Sequence, residues 1–345
     1  MTETTDVIIK LPELPVIEIV DDLTQVYKEF MVIRAALRLQ IFDWMAAHGS
    51  ATMEEISAGT GIKEEYIASI LGMLFYLDLV RKSGDKFIIA PSANLHFVRS
   101  SNYYQGDVIL ALSADDSPWL EIDEYITRPE SKTTFERANQ YSGASTAEQE
   151  LRGMVRNVTT VISRWAGFKD SHTFFEFGAG HGLYAIAACQ LLPGLKAVVY
   201  EKQGSTILQE NVTKFNMNGR ITACGDEIWS QKDTIFDIIL ASHSLYPYQE
   251  NLADQISSIA SFLRENGLFV SNHWCNRELE GTGMQGLYEL ELAIHNRYHM
   301  IQNREAYEDI CRQNGLDIFQ TGMMRTTYGE STIHMAHKQT SEEKR

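Results

Sequence analysis

The sequence FFEFGAGHGLYAI (residues 174–186) joins an apolar segment to three glycines, each separated by one residue, and then to a second apolar run. This order is typical of a buried strand, a tight turn and a helix. Glycines allow such a turn and let a ligand lie against bare main chain. Because open α/β sheets bind ligands at the carboxyl ends of their strands, Glu176, Gly178, Gly180 and Gly182 are the first candidate binding residues.

The segments that follow repeat the same alternation of strand and helix patterns. Apolar, strand-like segments occur at 173–177, 196–200, 220–223, 236–241, 268–272, 316–320 and 331–337, with helical patterns between most of them. Such alternation predicts a doubly wound, mainly parallel sheet, and therefore an α/β fold of the Rossmann-like kind.

Two acids after the next two strands suggest the ligand. Glu201 follows the second strand, 19 residues beyond Gly182, where a carboxylate can accept hydrogen bonds from both ribose hydroxyls. Asp226 follows the third strand, where it can accept from an adenine amine, and Ile228 or Trp229 could flank the ring. No Gly-Lys-Ser/Thr phosphate clamp is present, and the acidic Glu176 favours a cationic ligand. An adenosine joined to a cationic sulfonium amino acid is S-adenosylmethionine, and the pattern predicts a site for it.

The N-terminal part has a different pattern. From Asp22 a helical period places Val26, Phe30, Ile33, Leu37, Ile41 and Met45 on one face, and we expect one helix that ends at Gly49. Residues 51–90 then predict helix, turn, helix and a hairpin at Ser83-Gly84-Asp85, which is a winged helix. DNA binding is disfavoured because the second helix begins Lys63-Glu64-Glu65, so packing and dimerisation are the expected roles.

Composition excludes some classes of partner. The formal net charge of −16 disfavours nucleic acid as a partner. The four cysteines are far apart in sequence, which fits a reduced, cytoplasmic protein without a cysteine zinc site. The first residues lack a signal-peptide pattern, and no apolar run is long enough for a membrane span, so no membrane partner is expected.

With these motifs in view, the sequence resembles class I S-adenosylmethionine-dependent methyltransferases, and in particular the plant-type small-molecule O-methyltransferases with their microbial natural-product relatives. The resemblance is carried by LRLQIFDWM, FFEFGAGHG, YEKQG, CGDEIW and LRENGLFV. It implies a sheet of order 3-2-1-4-5-7-6 with the seventh strand antiparallel, and a homodimer formed through the N-terminal domain. We accordingly predict an arm at 1–21, a helical, winged-helix dimerisation domain at 22–165 and a methyltransferase domain at 166–340.

The resemblance also assigns cofactor roles by position. It gives cofactor roles to Glu176, Gly178, Gly180, Gly182, Glu201 and Asp226. We further predict Glu227, Ile228 and Ser242 as cofactor-binding residues.

The chain departs from the family where plant members carry their catalytic histidine. That position falls on Tyr246, and His-Asp-Trp is replaced by Tyr246-Pro247-Tyr248, with His243 three residues earlier. The later segment LAIHNRYHM matches the family's pocket-lining stretch. The predicted catalytic residues are His243, Tyr246 and His295, and the predicted substrate contacts are Tyr248, Asn296 and His299.

Three hypotheses for the histidines stay open at this point. His243 or His295 acts as general base; or two or three of His243, His295 and His299 hold a metal; or all are polar wall residues. No metal is predicted. The expected reaction is methyl transfer to the oxygen of a small aromatic or heteroaromatic metabolite. The alternatives are carbon or nitrogen as the acceptor atom, with or without a metal, and non-methylating use of the bound cofactor.

Overall fold

The computed structural model describes residues 18–127, 142–178, 180–201, 206–231, 233–275, 283–296, 301, 303–326 and 329–340. The chain forms two compact units, one that ends at Ile109 and one that begins at Leu110. Among the helices in those ranges, none combines the length and the apolar character that a membrane crossing requires.

The first unit is a winged helix preceded by two helices. Its elements are α1 (Glu18–Arg38), α2 (Ile41–His48), β1 (Ala51–Thr52), α3 (Met53–Thr60), α4 (Glu64–Tyr76), β2 (Val80–Ser83), β3 (Lys86–Ile89) and α5 (Pro91–His96). The three strands form an antiparallel sheet of order β1-β3-β2, and the hairpin turns at Gly84 with φ 65°. The predicted helix, turn, helix and hairpin are confirmed.

The prediction of one continuous helix from Asp22 to Gly49 is wrong. The chain leaves the helix after Arg38, passes through a left-handed residue at Gln40 with φ 54°, and starts a second helix at Ile41. Leu37 and Ile41, four residues apart, are both buried on either side of the break. The apolar spacing is therefore the same as in an unbroken helix, which is why periodicity did not reveal the break.

Local capping fixes the start of α3. The Thr52 hydroxyl accepts from the backbone N–H of Glu55 at 3.3 Å, and the Glu55 carboxylate accepts from the Thr52 N–H at 2.8 Å. This reciprocal pair satisfies two backbone donors and stabilises the helix by about 1 kcal/mol. Gly61, in the left-handed conformation, ends the helix.

The second unit holds the large sheet. α6 (Gly106–Leu112) crosses the division between the units. The elements that follow it in the second unit are a 3₁₀ turn (Pro118–Glu121), α7 (Ile122–Thr127), α8 (Ser142–Glu150), α9 (Met154–Ser163) and a 3₁₀ turn (Ala166–Asp170). The alternating part follows: β4 (Thr173–Phe177), α10 (Leu183–Leu191), β5 (Lys196–Tyr200), α11 (Thr206–Lys214), β6 (Ile221–Cys224), a 3₁₀ turn (Asp226–Ser230), β7 (Phe236–Ser242), a 3₁₀ turn (Tyr246–Asn251), α12 (Leu252–Ser261), β8 (Leu263–His273), α13 (Gly283–Asn296), α14 (Arg304–Gln313), β9 (Leu316–Thr326) and β10 (Gly329–Lys338).

The sheet has the predicted topology. Its seven strands run in the order β6-β5-β4-β7-β8-β10-β9. The pairs from β6 through β8 are parallel, and β10 is antiparallel to both of its neighbours. Counted from β4, this is the order 3-2-1-4-5-7-6 with an antiparallel seventh strand. The Rossmann-like fold class is confirmed.

Both faces of the sheet are covered. Phe174 packs in one core with α9 and α10, and its neighbour Phe175 packs in the opposite core with α12. Alternate side chains of β4 therefore enter different cores, which explains its continuous apolar sequence.

The compact division lies earlier than the predicted domain boundary between residues 165 and 166. Val158 and Ile162 of α9 are fully buried in the same core as Phe174 of the sheet. The helix that precedes the sheet thus belongs to the sheet's own core, and compactness divides the chain between Ile109 and Leu110 instead.

Candidate cofactor and acceptor site

The glycine turn joins β4 to α10 at the carboxyl edge of the sheet. Gly178, Gly180 and Gly182 have φ values of 75°, 66° and 68°, all in the left-handed region that side chains other than hydrogen disfavour. Space is also restricted. A Cβ on Gly180 would lie 2.8 Å from Glu201 Oε2, and one on Gly182 would overlap the side chain of Leu208. Conformation and packing therefore both require glycine here.

Glu176 lies below this turn with its carboxyl group buried. Its Oε2 accepts from the backbone N–H of Ala185 at 2.7 Å, which ties the end of β4 to the first turn of α10. Its Oε1 has no hydrogen-bond partner among the described residues. Burial raises the pKa of this carboxyl to about 8, and the nearby Glu150 adds to the rise. Burial therefore favours the protonated, neutral form of this carboxyl, which attracts a cation less strongly than a carboxylate does.

The free energy of unfolding of the wild type is expected to fall as the pH rises, and Glu176→Gln should reduce that fall. The folded pKa of about 8 exceeds the ordinary value of 4.5, so between these pH values the folded chain holds a proton that the unfolded chain releases. The stabilisation of the folded chain by the proton on Glu176 is complete below pH 4.5. It decreases by up to roughly 1.4 kcal/mol per pH unit as the pH rises to about 8. Glutamine keeps an oxygen for the Ala185 N–H and has no proton to lose.

Urea unfolding of wild type and Glu176→Gln at several pH values across this window measures the difference. The exposed Glu210 supplies the matched control, Glu210→Gln, whose stability curve should parallel that of the wild type. Parallel curves for Glu176→Gln and wild type would contradict the assignment.

A buried polar chain continues from the glycine turn towards β7. The Tyr184 hydroxyl donates to Glu150 Oε2, and Ser242 Oγ donates to the Tyr184 hydroxyl at 3.1 Å. Burial raises the pKa of Glu150 to about 7. Ser242, a predicted cofactor residue, thus has its hydroxyl engaged by protein groups. Glu150 lies 34 residues before Tyr184, and nothing in its sequence surroundings indicated this role.

The two acids predicted to recognise adenosine lie at the ends of neighbouring strands. Glu201 follows β5, is half-buried, and reaches the backbone of Gly180. Asp226 follows β6, is exposed, and accepts from the Tyr200 hydroxyl at 2.7 Å. Carboxylates accept several hydrogen bonds each, so both retain capacity for ligand donors.

Two further predicted cofactor residues follow Asp226 in a 3₁₀ turn. The Glu227 carboxylate accepts from the backbone N–H of Gly225 at 2.8 Å and so shapes the turn itself. Ile228 is buried with 3% of its surface exposed. The side chain of Glu227 is exposed, whereas that of Ile228 lies in the core.

Aromatic rings pack beside Asp226. Phe177 lies parallel to Tyr200 with ring centroids 5.2 Å apart, and Trp229 meets the Tyr200 ring edge-on. Tyr248, a predicted substrate contact, lies 5.7 Å from Phe177 between ring centroids. The structure therefore places Tyr248 in the aromatic cluster next to the predicted adenine acid.

These groups suit the cofactor that the sequence predicted. Ribose hydroxyls and an adenine amine are donors, and Glu201 and Asp226 are carboxylate acceptors on adjacent strands. The glycine turn lies beside them, and below it lies Glu176 Oε1, which has no hydrogen-bond partner in the described part of the chain. The chemistry of these donor and acceptor groups fits S-adenosylmethionine.

The turn after β7 contains the altered catalytic segment. His243 adopts φ 50°, and its Nδ1 lies 2.8 Å from the Tyr246 hydroxyl while its Nε2 lies 3.1 Å from Asn272 Nδ2. The Tyr246 hydroxyl also accepts from the backbone N–H of Trp274 at 2.9 Å. Burial lowers the pKa of His243 to about 3. Both ring nitrogens are engaged and the ring is a weak base, which argues against His243 as general base.

The remaining predicted site residues lie largely outside the described part of the chain. His295 and Asn296 are the last residues of α13, but their side chains are not described, and His299 lies outside the described ranges. Within those ranges no group of three or more histidine, cysteine, aspartate or glutamate side chains could hold a metal ion. The metal hypothesis for His295 and His299 therefore stays a hypothesis.

Sequence reasoning missed Asn272 and the contact made by the Trp274 main chain. A signal existed: the segment SNHWC is polar and aromatic at the carboxyl end of an apolar strand, where open sheets place their ligand sites. His181, in the glycine turn, is buried, and its Nδ1 accepts from the Leu183 N–H at 3.2 Å at the start of α10.

Comparisons with known proteins match this description. Residues 22–97 match the family model of the O-methyltransferase dimerisation domain. The resemblance to the O-methyltransferase family is confirmed. An O-methyltransferase family protein from Burkholderia thailandensis has the same fold, with a TM-score of 0.76 at 15% identity, covering 95% of this chain and 99% of that one.

Two sequence relatives and a further solved structure are also similar to this chain. An uncharacterised protein of Methanocaldococcus jannaschii is 22% identical over 79% of this chain and 73% of its own length. The N,N-dimethyltransferase OxyT of Streptomyces rimosus is 21% identical over 65% of this chain and 68% of its own length. Human N-acetylserotonin methyltransferase, solved in complex with S-adenosylmethionine, gives a TM-score of 0.67 at 13% identity over 96% and 100% of the two chains. These similarities agree with the predictions of a methyltransferase, of S-adenosylmethionine as its cofactor and of an N-terminal dimerisation domain.

Proposed function

We propose that this protein transfers the methyl group of S-adenosylmethionine to a small-molecule acceptor. The observation that carries the proposal is the arrangement at the carboxyl edge of the sheet. There the left-handed turn at Gly180 lies against Glu201, and Asp226 follows the adjacent strand. Two acceptor groups and a bare backbone, side by side, form an adenosine site without a phosphate clamp.

Each part of the chain has a defined task in this proposal. Glu201 accepts from the ribose hydroxyls, Asp226 accepts from the adenine amine, and the glycine turn lets the amino-acid end of the cofactor approach. When bound, the cofactor supplies an electrophilic methyl group. Because in-line displacement needs alignment above all, the enzyme contributes mainly by fixing the acceptor and by excluding water.

The proposed acceptor is a small aromatic or heteroaromatic metabolite, with oxygen as the atom that receives the methyl group. Nitrogen is the second candidate, and a specific observation favours it. The family's histidine position holds Tyr246, and His243 has both ring nitrogens engaged. A neutral amine attacks without prior loss of a proton, whereas most hydroxyls need a base. OxyT is named as an N,N-dimethyltransferase, which adds support for this candidate.

The assembly and location of the protein are also part of the proposal. The dimerisation domain at 22–97 supports a homodimer, in which the N-terminal domain supplies the contact. Cysteines 189, 224, 275 and 311 are free thiols in the structure, which fits the cytoplasmic location predicted from their spacing.

A labelled transfer experiment tests the function. Purified protein is incubated with methyl-labelled S-adenosylmethionine and a fractionated extract of small metabolites, and the label is followed by mass spectrometry. We expect one labelled small molecule and S-adenosylhomocysteine in a one-to-one ratio. Consumption of the cofactor without a labelled product would contradict methyl transfer and would point to non-methylating use of the same site.

A further inference from the structure

Three consecutive residues at the carboxyl end of β8 bind the turn that follows β7. Asn272 Nδ2 lies 3.1 Å from His243 Nε2, and His273 Nε2 accepts from the backbone N–H groups of Ser244 and Leu245 at 3.3 and 3.2 Å. The Trp274 N–H donates to the Tyr246 hydroxyl, and the Trp274 ring centroid lies 3.6 Å from the His243 ring centroid.

These contacts stabilise an uncommon backbone conformation. His243 has φ 50°, in the left-handed region, where a residue other than glycine costs of order 1 kcal/mol or more. Its N–H donates to the Asn272 carbonyl at 2.8 Å, so main chain and side chain of Asn272 hold the same residue. Strain of this kind persists only where surrounding contacts compensate for it, and it is concentrated at functional sites.

The hydrogen bonds around Asn272 also define where the proton of His243 lies. Asn272 Oδ1 accepts from the Ser331 hydroxyl at 2.7 Å, so the amide nitrogen faces Ser242 Oγ and His243 Nε2. Met154 Sδ also lies 3.5 Å from that nitrogen, which carries two protons, and the 3.1 Å contact with His243 Nε2 is the shortest of the three. His243 Nε2 is then an acceptor, and the neutral ring carries its proton on Nδ1.

The consequence reaches Tyr246, the residue at the family's histidine position. With its proton on Nδ1, His243 donates to the Tyr246 oxygen, which also accepts from the Trp274 N–H. Within the described ranges, the titratable side chains whose rings contact His243 are Tyr246 and His273. Burial keeps the pKa of both histidines below its ordinary value. The imidazole is therefore a neutral donor in this site.

We propose that Asn272 is a positioning residue for methyl transfer: by donating to His243 Nε2 it selects the Nδ1–H tautomer and directs His243 to donate to Tyr246. This inference rests on the proposed function for its effect on transfer. The tautomer itself is a property of the protein without substrate, so the two can be tested separately.

Nitrogen-15 NMR of histidine-labelled protein measures the tautomer directly, and His243→Gln identifies the His243 signals by their loss. We expect the Nδ1–H form in the wild type. Asn272→Asp places an acceptor where the donor was, so it should move the proton to Nε2 or hold the ring protonated. Ser271→Ala is the matched control, because it removes a buried hydroxyl of the same strand that is bonded to Tyr307 instead.

The effect on catalysis is measured with the acceptor found by the labelled screen. Asn272→Ala should lower kcat by about tenfold or more, while the Kd of S-adenosylhomocysteine changes by less than about threefold. Asn272→Asp should add an ionisation to the pH profile of kcat in the neutral range, which a purely structural role would not produce. Ser271→Ala should keep the wild-type profile.

The outcomes separate the two proposals. An Nε2–H tautomer in the wild type, or a wild-type kcat and pH profile in Asn272→Ala, would overturn the positioning role. Should Asn272→Ala fail to fold, the tautomer of the near-isosteric Asn272→Asp decides. If the wild type does not bind S-adenosylhomocysteine, the proposed function is wrong. The tautomer measurement can still be interpreted in that case, because it needs no cofactor.

Discussion

Glu201→Ala is expected to weaken binding of S-adenosylhomocysteine by roughly fivefold to 150-fold. The carboxylate is half-buried at the end of β5, beside Gly180, where it is proposed to accept from both ribose hydroxyls. Removal of one partner from a hydrogen bond to a charged group costs about 1–3 kcal/mol, and each 1.4 kcal/mol is a factor of ten in affinity. Glu201→Gln, which keeps one acceptor oxygen, should give an intermediate loss.

Titration calorimetry measures these affinities. The matched control is Glu210→Gln or Glu210→Ala, which removes the same charge from an exposed position on α11. It should bind as the wild type does, because Glu210 is not part of the proposed site. Any general effect of the lost charge would appear equally in the Glu210 and Glu201 variants. Equal affinities for wild type and Glu201→Ala would refute the ribose assignment.

Gly180→Ala is expected to abolish measurable cofactor binding while the protein stays folded. The added Cβ would lie 2.8 Å from Glu201 Oε2, so the carboxylate has to leave its place, and φ 66° strains any side chain. The two effects add at the point where the ligand is proposed to approach the main chain most closely.

Gly219→Ala separates these effects. Gly219 has φ 81° in the same unit, but a Cβ there meets no atom within 4 Å. It carries the cost of the left-handed backbone, about 1 kcal/mol, without any contact at the site. Both variants should lose similar stability in urea unfolding, and only Gly180→Ala should lose affinity. Comparable binding by the two variants would show that the glycine turn does not shape the site.

The fold could be predicted from the sequence because each part left a local signal. The bounds of β4 and β5 match the predicted 173–177 and 196–200, since short buried strands end abruptly at glycine or turn residues. The break in the first helix was missed because Leu37 and Ile41 keep a helical spacing across it. Periodicity reports which side chains are buried together and does not report backbone continuity.

The sequence indicates candidate site residues where they directly follow a strand. Glu201 and Asp226 were predicted on that ground, and their cofactor roles stay a proposal. The contacts of Asn272 and Glu150 depend on residues 29 to 59 positions away in the chain, which pattern reading does not pair. The neutral state of Glu176 also followed from burial by the tertiary structure, whereas sequence alone suggested a charged acid.

The assignment of the glycine turn, Glu201 and Asp226 to an adenosine cofactor without a phosphate is tested most directly by comparing the binding of two adenosine cofactors. Calorimetry of the purified protein with S-adenosylhomocysteine, and separately with NAD, distinguishes a ribose and adenine site without a phosphate clamp from a dinucleotide site. We expect saturable binding of one S-adenosylhomocysteine per chain, weakened in Glu201→Ala, and no binding of NAD. Binding of NAD in place of S-adenosylhomocysteine would contradict the assignment of the glycine turn, of Glu201 and of Asp226 together.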